Sequence, residues 1–263
     1  MRIFSYGGGV QSTAILVLAS QGKVQYDHFL FANVGEDSEH PDTLKYFYDV
    51  ALPFADKHGI SLIEITGGRN GKENSIYQLI FENKRMVPIP VFGSIAGRPM
   101  PRRCTEDFKI VAIARWEKAQ GATEATNGLG ISTDEIHRAK SKEPRKIAGV
   151  IQTVEYPLID LRLSRNDCHQ IIVDAGLPIP SPSSCYFCPF HSPAVWLRMK
   201  QNEPELFDKA IKLEMEIQRQ ARIKDREGTY YLHSSCKPLN IAVGDQSNFF
   251  DDMDNCESGY CFT

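Results

Sequence analysis

The 263-residue sequence lacks the features that define several protein classes. No run approaches 18 consecutive apolar residues, and the first residues lead into a strand-like segment, so we expect neither a membrane span nor a signal peptide. The net charge of −3 and the pI of 6.2 argue against a protein that binds nucleic acid through its bulk charge alone. These absences predict a cytoplasmic protein with no membrane partner.

The composition is that of an ordinary globular protein, with 42% hydrophobic and 24% charged residues. Its length suits one large domain, or a domain with a smaller appendage. Seven cysteines are present, an odd number. In a reducing compartment a disulfide framework is not expected, so metal binding, redox chemistry or burial must account for them.

The first 65 residues alternate between strand and helix patterns. We predict strands over 2–6, 26–33 and 60–65, and helices over 10–20 and 41–58. Further along, Thr105 is expected to cap a helix that ends near residue 120, and strands are expected at 127–132 and 154–159. Ser164 and Asp167 form a capping box that opens a helix to residue 175. Right-handed crossovers between such strands predict an α/β fold with a parallel twisted sheet flanked by helices.

Three consecutive glycines, Gly7, Gly8 and Gly9, lie between the first strand and the first helix. Their amides, the helix N-terminus and the hydroxyls of Ser12 and Thr13 can form a cradle for an anion such as phosphate. No lysine follows the glycines, which disfavours the usual P-loop nucleotidases. The alternative is a purely structural turn. We predict a nucleotide-binding α/β domain over residues 1–160 and a smaller helical and irregular region with cysteines over 161–263.

The segment SYGGGVQST resembles the pyrophosphatase loop, or PP-loop, of the adenine nucleotide alpha-hydrolase superfamily. Where the usual loop reads Ser-Gly-Gly-Lys-Asp-Ser, this chain reads Gly-Gly-Gly-Val-Gln-Ser, and the glutamine is shared with the phosphoadenosine phosphosulfate (PAPS) reductase-like branch. Three further segments, ANVGEDSEHPDT, RRCTEDFK and GISTDEIHR, resemble family motifs in the same order. The resemblance covers residues 1 to about 190 and implies a Rossmann-like fold of the HUP type.

The resemblance also implies a role for individual residues. ATP, with Mg²⁺, would be bound by residues of the loop, of the second strand and of the basic segment: Ser5, Gly7, Gly8, Gly9, Gln11, Ser12, Thr13, Phe31, Ala32, Asn33 and Lys109. The groups expected to act on the phosphates are Ser12, Arg103, Asp134, Glu135 and Arg138.

Cys185 and Cys188 form a Cys-x-x-Cys pair that can present two thiolates to one metal ion or cluster. In related proteins a cysteine in the Arg-Cys-Thr segment joins such a pair, which here implies a [4Fe-4S] cluster on Cys104, Cys185 and Cys188. Three ligands would leave one iron open for a hydrosulfide, unless Cys236, Cys256 or Cys261 completes the set. A zinc site and thiols without a metal are the alternatives, and Cys168 is expected to be a buried structural thiol.

Together these features predict an ATP pyrophosphatase, a hydrolase that cleaves ATP to AMP and pyrophosphate, acting in sulfur transfer to nucleic acid. DNA phosphorothioation is the favoured pathway. The implied partners are a cysteine desulfurase or another sulfur donor, and nucleic acid reached through partner proteins, and a homodimer is compatible with the sequence. The alternatives are a PAPS reductase that releases sulfite and a non-catalytic subunit that senses nucleotides.

Overall fold

The structure, a computed structural model, describes residues 1–68, 75–82, 88–95, 97–139, 141–223 and 227–244. Cys256 and Cys261 therefore lie outside the described residues. Within those ranges, no helix combines the length and the apolar character that crossing a membrane requires.

The centre of the protein is a six-stranded sheet in the order β3-β2-β1-β5-β7-β6. The strands are β1 (Arg2–Ser5), β2 (His28–Asn33), β3 (Leu62–Thr66), β5 (Glu124–Leu129), β6 (Arg145–Ile147) and β7 (Val150–Glu155). All neighbours are parallel except β6, which runs antiparallel to β7 at one edge. Because β1 pairs with both β2 and β5, the chain reverses its order across the sheet at β1, the place where open α/β sheets bind ligands.

Alternate residues of β2 point to opposite faces of the sheet, as strand geometry requires. Phe29 and Phe31 belong to the core under α1 (Val10–Ser20), and Leu30 and Ala32 belong to the core under α6 (Val111–Ala119). α1 is buried along nearly its whole length because α8 (Arg165–Asp174) packs against it. This double cover explains why the helix is apolar all round.

Two helical stretches contain π-helical turns. α2 (Pro41–Tyr46) continues through the turn Phe47–Ala51 into α3 (Leu52–Lys57), on the α1 side of the sheet. α5 (Arg103–Thr105) continues through the turn Glu106–Ile110 into α6.

A second core joins the middle of the chain to its C-terminal part. It contains side chains of α4 (Ile76–Glu82), α9 (Pro193–Asn202) and α10 (Pro204–Ile223), with the fully buried Trp196 among them. β4 (Phe92–Gly93) pairs with β8 (Tyr230–Tyr231), and the short helices are α7 (Pro157–Asp160) and α11 (Leu239–Ala242). The domain boundary after residue 160 stays a prediction.

Several predicted elements need correction. The helix near Thr105 begins at Arg103, so Thr105 lies inside the helix and is not its cap. The strand expected at 127–132 is β5, which starts at Glu124 and ends at Leu129. The strand expected at 154–159 is wrong, because β7 ends at Glu155 and Pro157 takes the first position of α7, where proline is favoured.

Candidate functional site

The loop of Gly7, Gly8 and Gly9 leaves the carboxyl end of β1 and enters α1. Gly8 has a φ of +75°, and a β-carbon there would stand 2.8 Å from Cγ2 of Thr43. A β-carbon at Gly9 would stand 2.8 Å from Oγ of Ser183. Both positions therefore require glycine, one for its backbone conformation and its space and the other for its space alone.

Hydroxyl groups fix the conformation of this loop. The Gly9 amide donates to Ser12 Oγ at 3.1 Å, and Ser12 Oγ donates back to the Gly9 carbonyl at 2.9 Å. The Thr13 hydroxyl lies 3.1 Å from the hydroxyl of Tyr6, a buried ring whose pKa is raised by desolvation. Ser12 and Thr13 thus hold the loop against the first turn of α1, where amide groups point out of the helix N-terminus.

Charged and amide side chains form a connected row beside the loop. Arg138 Nη1 lies 2.8 Å from the Glu135 carboxylate, to which Gln11 Nε2 donates at 3.2 Å. Arg165 in turn donates to Gln11 Oε1 at 3.2 Å. The row thus joins α1, α8 and the 3₁₀ helix Thr133–Arg138 that follows β5. It positions two guanidinium groups, the side chains best suited to bind phosphate oxygens, on either side of Gln11.

A pocket of about 50 Å³ opens between the glycine loop and the segment after β5. This volume is about that of two water molecules, so only a small anionic group fits its floor. The pocket lies at the reversal point of the sheet. Its lining combines residues of both segments with one serine from the C-terminal part: Ser5, Gly7, Gly9, Gln11, Ser12, Leu129, Gly130, Ile131, Glu135, Arg138 and Ser183.

The structure brings together most of the predicted loop residues, together with Glu135 and Arg138, and places others elsewhere. Asp134 is exposed and accepts the Arg165 amide at 2.5 Å at the start of α8. Arg103 is exposed, and Lys109 is buried with its Nζ 3.9 Å from Glu39 Oε1. Burial raises the pKa of Glu39, and the Lys109 ammonium opposes that rise. None of Asp134, Arg103 and Lys109 lines the loop pocket.

The residues predicted to read the base lie inside β2. Phe31, Ala32 and Asn33 are buried and pair with β3, and the Asn33 amide donates to Glu64 Oε1 at 2.7 Å. Asn33 Oδ1 accepts the amide of Gly35 at 2.8 Å. These three residues are absent from the lining of the loop pocket, and their role in binding a base stays a prediction.

The three predicted ligand cysteines are half-buried and lie on two adjoining segments. The Cys188 amide donates to the Cys185 carbonyl at 3.0 Å, which forms a tight turn. The guanidinium of Arg102, two residues before Cys104, lies 5.3 Å from the ring centre of Phe190, two residues after Cys188. Cys104 and Cys185 also pack against the same core. The sequence therefore brings the thiols to one region, as a shared metal centre requires.

The spacing of the thiols bears on the choice of metal. Tetrahedral zinc bonds of about 2.3 Å bring sulfur ligands to about 3.8 Å from one another. Among the residues that the structure describes, the three sulfurs do not all lie within 4.8 Å of one another. A cluster places each thiolate on a different iron and so keeps its sulfurs farther apart, and this donor set fits a cluster better than a single zinc ion.

Cys168 has the opposite character. It is fully buried in the core beneath α8, and burial raises its thiol pKa to about 12. The prediction of a buried structural thiol is confirmed.

A different group of metal-type donors lies near the Cys-x-x-Cys turn. His40, Asp42 and Glu203 have ligand atoms within 4.8 Å of one another, with His40 Nε2 3.2 Å from Glu203 Oε2. They line a cavity of about 270 Å³.

Sequence reasoning missed Ser183, which touches the glycine loop and also belongs to the segment before Cys185. Two residues of chain reach at most about 7 Å, so the backbone of Cys185 lies close to the loop. The sequence analysis also missed Arg165, which holds Gln11. The serine-rich run before Cys185 was the local signal for Ser183, whereas Arg165 carried none.

The chain matches no protein-family model and no curated protein. It is similar to the solved structure of a PAPS reductase from Candida auris in a phosphate complex, with 15% identity, a TM-score of 0.41, and coverage of 68% of this chain and 74% of that one. It is also similar to the U34-tRNA thiolase NcsA from Methanococcus maripaludis with its [4Fe-4S] cluster, with 12% identity, a TM-score of 0.45, and coverage of 94% and 81%. The six-stranded, mostly parallel sheet flanked by helices is the predicted α/β Rossmann-like fold.

Proposed function

We propose that this protein is an ATP pyrophosphatase acting in sulfur transfer, with nucleic acid as the acceptor and DNA phosphorothioation as the favoured pathway. The observation that carries the proposal is the contact between Ser183 and Gly9. It sets the segment of Cys185 and Cys188 against a loop built to bind an anion. Phosphate binding and thiol chemistry therefore meet at one place in the fold.

The groups around the loop suit the phosphates of ATP. The N-terminus of α1 supplies amide donors, and Arg138 supplies a positive charge that Glu135 holds in place. Mg²⁺ would neutralise the phosphate oxygens when bound, and Glu135 is the carboxylate that lines the pocket.

The expected reaction begins with attack of an acceptor oxygen on the α-phosphorus. The bond between that oxygen and phosphorus forms, and the bond from the α-phosphorus to its bridging oxygen breaks. Pyrophosphate leaves with the electron pair. Arg138 and the loop amides stabilise the charge that develops on the leaving group. A sulfide equivalent then displaces AMP from the adenylated acceptor.

Cys104, Cys185 and Cys188 would hold the [4Fe-4S] cluster, which would supply an iron able to bind a sulfur ligand. A cysteine desulfurase or another sulfur donor is the proposed partner. Nucleic acid would be contacted through partner proteins, because the net charge of this chain is −3.

The test is release of AMP and pyrophosphate from ATP by the full chain with Mg²⁺, a sulfur donor, DNA and its partner proteins. Ser12→Ala removes both hydrogen bonds to Gly9 and is expected to abolish release. Ser20→Ala is the matched control, since Ser20 bonds Val17 at the other end of the same helix and release should persist. Equal release by both variants would overturn the proposal, and ATP binding without release would identify a nucleotide-sensing subunit.

The second candidate is a PAPS reductase, and Gln11 is the observation that favours it. Gln11 occupies the place of an acidic residue in the usual loop, and here it links Glu135 to Arg165. Release of sulfite from PAPS with thioredoxin as reductant would establish this function. Absence of sulfite with intact release of pyrophosphate from ATP would exclude it.

A further inference from the structure

A larger cavity, of about 330 Å³, lies next to the loop pocket on the α6 side of the sheet. The two share Ser5, Leu129 and Arg138 in their linings. Most of the larger cavity is apolar, with walls from the helix that leads into α6, from the sheet and from the β6–β7 hairpin: Ile110, Ile113, Leu129, Ile147, Val154 and Tyr156. Its volume falls at the lower end of the range for small-molecule sites, about 300 to 1,000 Å³.

A buried carboxylate orients two amide side chains at the floor of this cavity. Glu117 is fully buried in α6 and accepts a hydrogen bond of 2.5 Å from Gln152 Nε2. The side chain of Asn127 bonds the same carboxylate. Because an ionised carboxylate can only accept, it engages the nitrogen of each amide. The amide oxygens of Asn127 and Gln152 are then left for other donors.

Asn127 Oδ1 has no hydrogen-bond partner among the residues that the structure describes. The residue is only 6% exposed and lines the cavity. Buried polar atoms in folded proteins almost always have a partner, and the exceptions call for an explanation. An acceptor fixed at the floor of an apolar cavity is explained by a ligand that brings the donor.

We propose that this cavity binds a heteroaromatic ring of nucleobase size that donates an N–H to Asn127 Oδ1. The apolar walls suit the faces of such a ring, and the amide oxygens suit an exocyclic amino group. Arg138, at the junction with the loop pocket, lies where the sugar and phosphates of a nucleotide would follow.

Two sources can supply such a ring. One is the base of the nucleotide whose phosphates occupy the loop, and this source rests on the proposed function. The other is a separate nucleoside unit, such as one belonging to a nucleic acid acceptor.

The experiment fills the cavity and measures binding to the full chain by calorimetry. Ile147→Trp adds a ring at the cavity wall. Ile151→Trp is the matched control, because Ile151 is an exposed residue of β7 outside the cavity lining. The ligands are ATP, tripolyphosphate, and adenosine, cytidine and guanosine added to protein saturated with ATP. Thermal unfolding confirms that both variants are folded.

If the base belongs to ATP, Ile147→Trp weakens ATP binding about tenfold or more and leaves tripolyphosphate binding unchanged. If it belongs to a separate nucleoside, Ile147→Trp leaves ATP binding unchanged and abolishes nucleoside binding. Equal binding of every ligand to Ile147→Trp and Ile151→Trp would overturn the proposal. Tripolyphosphate carries no base, so its failure to bind the wild type would count against the proposed function and not against the cavity.

The amino group is tested with inosine triphosphate for the first source and with inosine for the second, since both lack it. Wild type is expected to favour the amino-bearing ligand about tenfold, and Asn127→Ala to lose that preference. An undiminished preference in Asn127→Ala would show that Asn127 is not the acceptor.

Discussion

The Arg138 guanidinium and the Glu135 carboxylate lie 2.8 Å apart, and neither side chain is more than 10% exposed. Transfer of two charges out of water costs free energy that only their pairing offsets. The pair lines the loop pocket, so the positive charge available to a phosphate depends on a carboxylate only three residues away. Stability and anion binding are thereby coupled at this point of the fold.

Loss of Glu135 should therefore destabilise the protein. We expect Glu135→Ala to lower the free energy of unfolding by about 3 to 5 kcal/mol, because it leaves the buried Arg138 charge without this carboxylate. Urea unfolding measures the effect. Asp49→Asn, which breaks the exposed Lys45–Asp49 pair, is the control and should cause no measurable change. Similar small losses in both variants would contradict the coupling.

Substitution at Gly9 should be rescued by a second change at Ser183. We expect Gly9→Ala to weaken tripolyphosphate binding, because its methyl group would stand 2.8 Å from Ser183 Oγ. With Ser183→Ala added, the nearest side-chain atom, Cβ of residue 183, is 3.6 Å away, an ordinary contact, so binding should return. Calorimetry on the single and double variants decides the point.

The neighbouring glycine supplies the contrast. Gly8→Ala should not be rescued by Thr43→Ser, although this change removes the methyl group 2.8 Å away, because the φ of +75° disfavours any side chain. Rescue at Gly8, or its absence at Gly9, would show that the two glycines are required for other reasons.

Iron binding should depend on the three half-buried thiols and not on the deeply buried one. We expect anaerobically purified wild type to contain iron and acid-labile sulfide, and Cys188→Ser to lose both. Cys168→Ala should retain them, because Cys168 lies in the core beneath α8. Metal analysis and visible absorbance measure the outcome. Zinc in place of iron would revise the assignment of the cluster.

The pH dependence of stability should include a contribution from Glu214. Burial raises the pKa of this carboxyl above 4.5, and its oxygens accept the amides of Leu232 and Leu239, each at 2.8 Å. The folded state then holds the proton more tightly than the unfolded chain does. This contribution is complete below pH 4.5 and is lost as the pH rises through the raised pKa.

We therefore expect the stability of wild type, relative to Glu214→Gln, to fall as the pH rises above 4.5. Urea unfolding at a series of pH values measures this difference. Glu205→Gln, at the exposed start of α10, is the control. Parallel stability curves for wild type and Glu214→Gln would contradict the prediction.

Local sequence signals predict the elements that are specified locally. The apolar run 10–20 predicts α1 with the bounds that the structure shows, and the capping box of Ser164 and Asp167 is confirmed. The strands after residue 120 are displaced because strand bounds depend on pairing with β1, which the local pattern does not contain. The roles of Ser12, Arg103 and Asp134 in chemistry stay predictions.

Long-range contacts in the site could not be predicted. The meeting of Gly9 with Ser183, and of Gln11 with Arg165, depends on how α8 and the following segment pack on α1. The orientation of Asn127 depends on Glu117, which lies on a different element. Such partners have no fixed spacing in the sequence, so only the packed structure shows them.

The contact of Ser183 with Gly9 has a consequence for the order of assembly during translation. The glycine loop is among the first segments to leave the ribosome, whereas Ser183 belongs to the last third of the chain. A nascent chain therefore carries the phosphate cradle with one side uncovered until its C-terminal part has been synthesised. Completion of the site coincides with arrival of Cys185 and Cys188, so the nucleotide pocket and its thiols mature together.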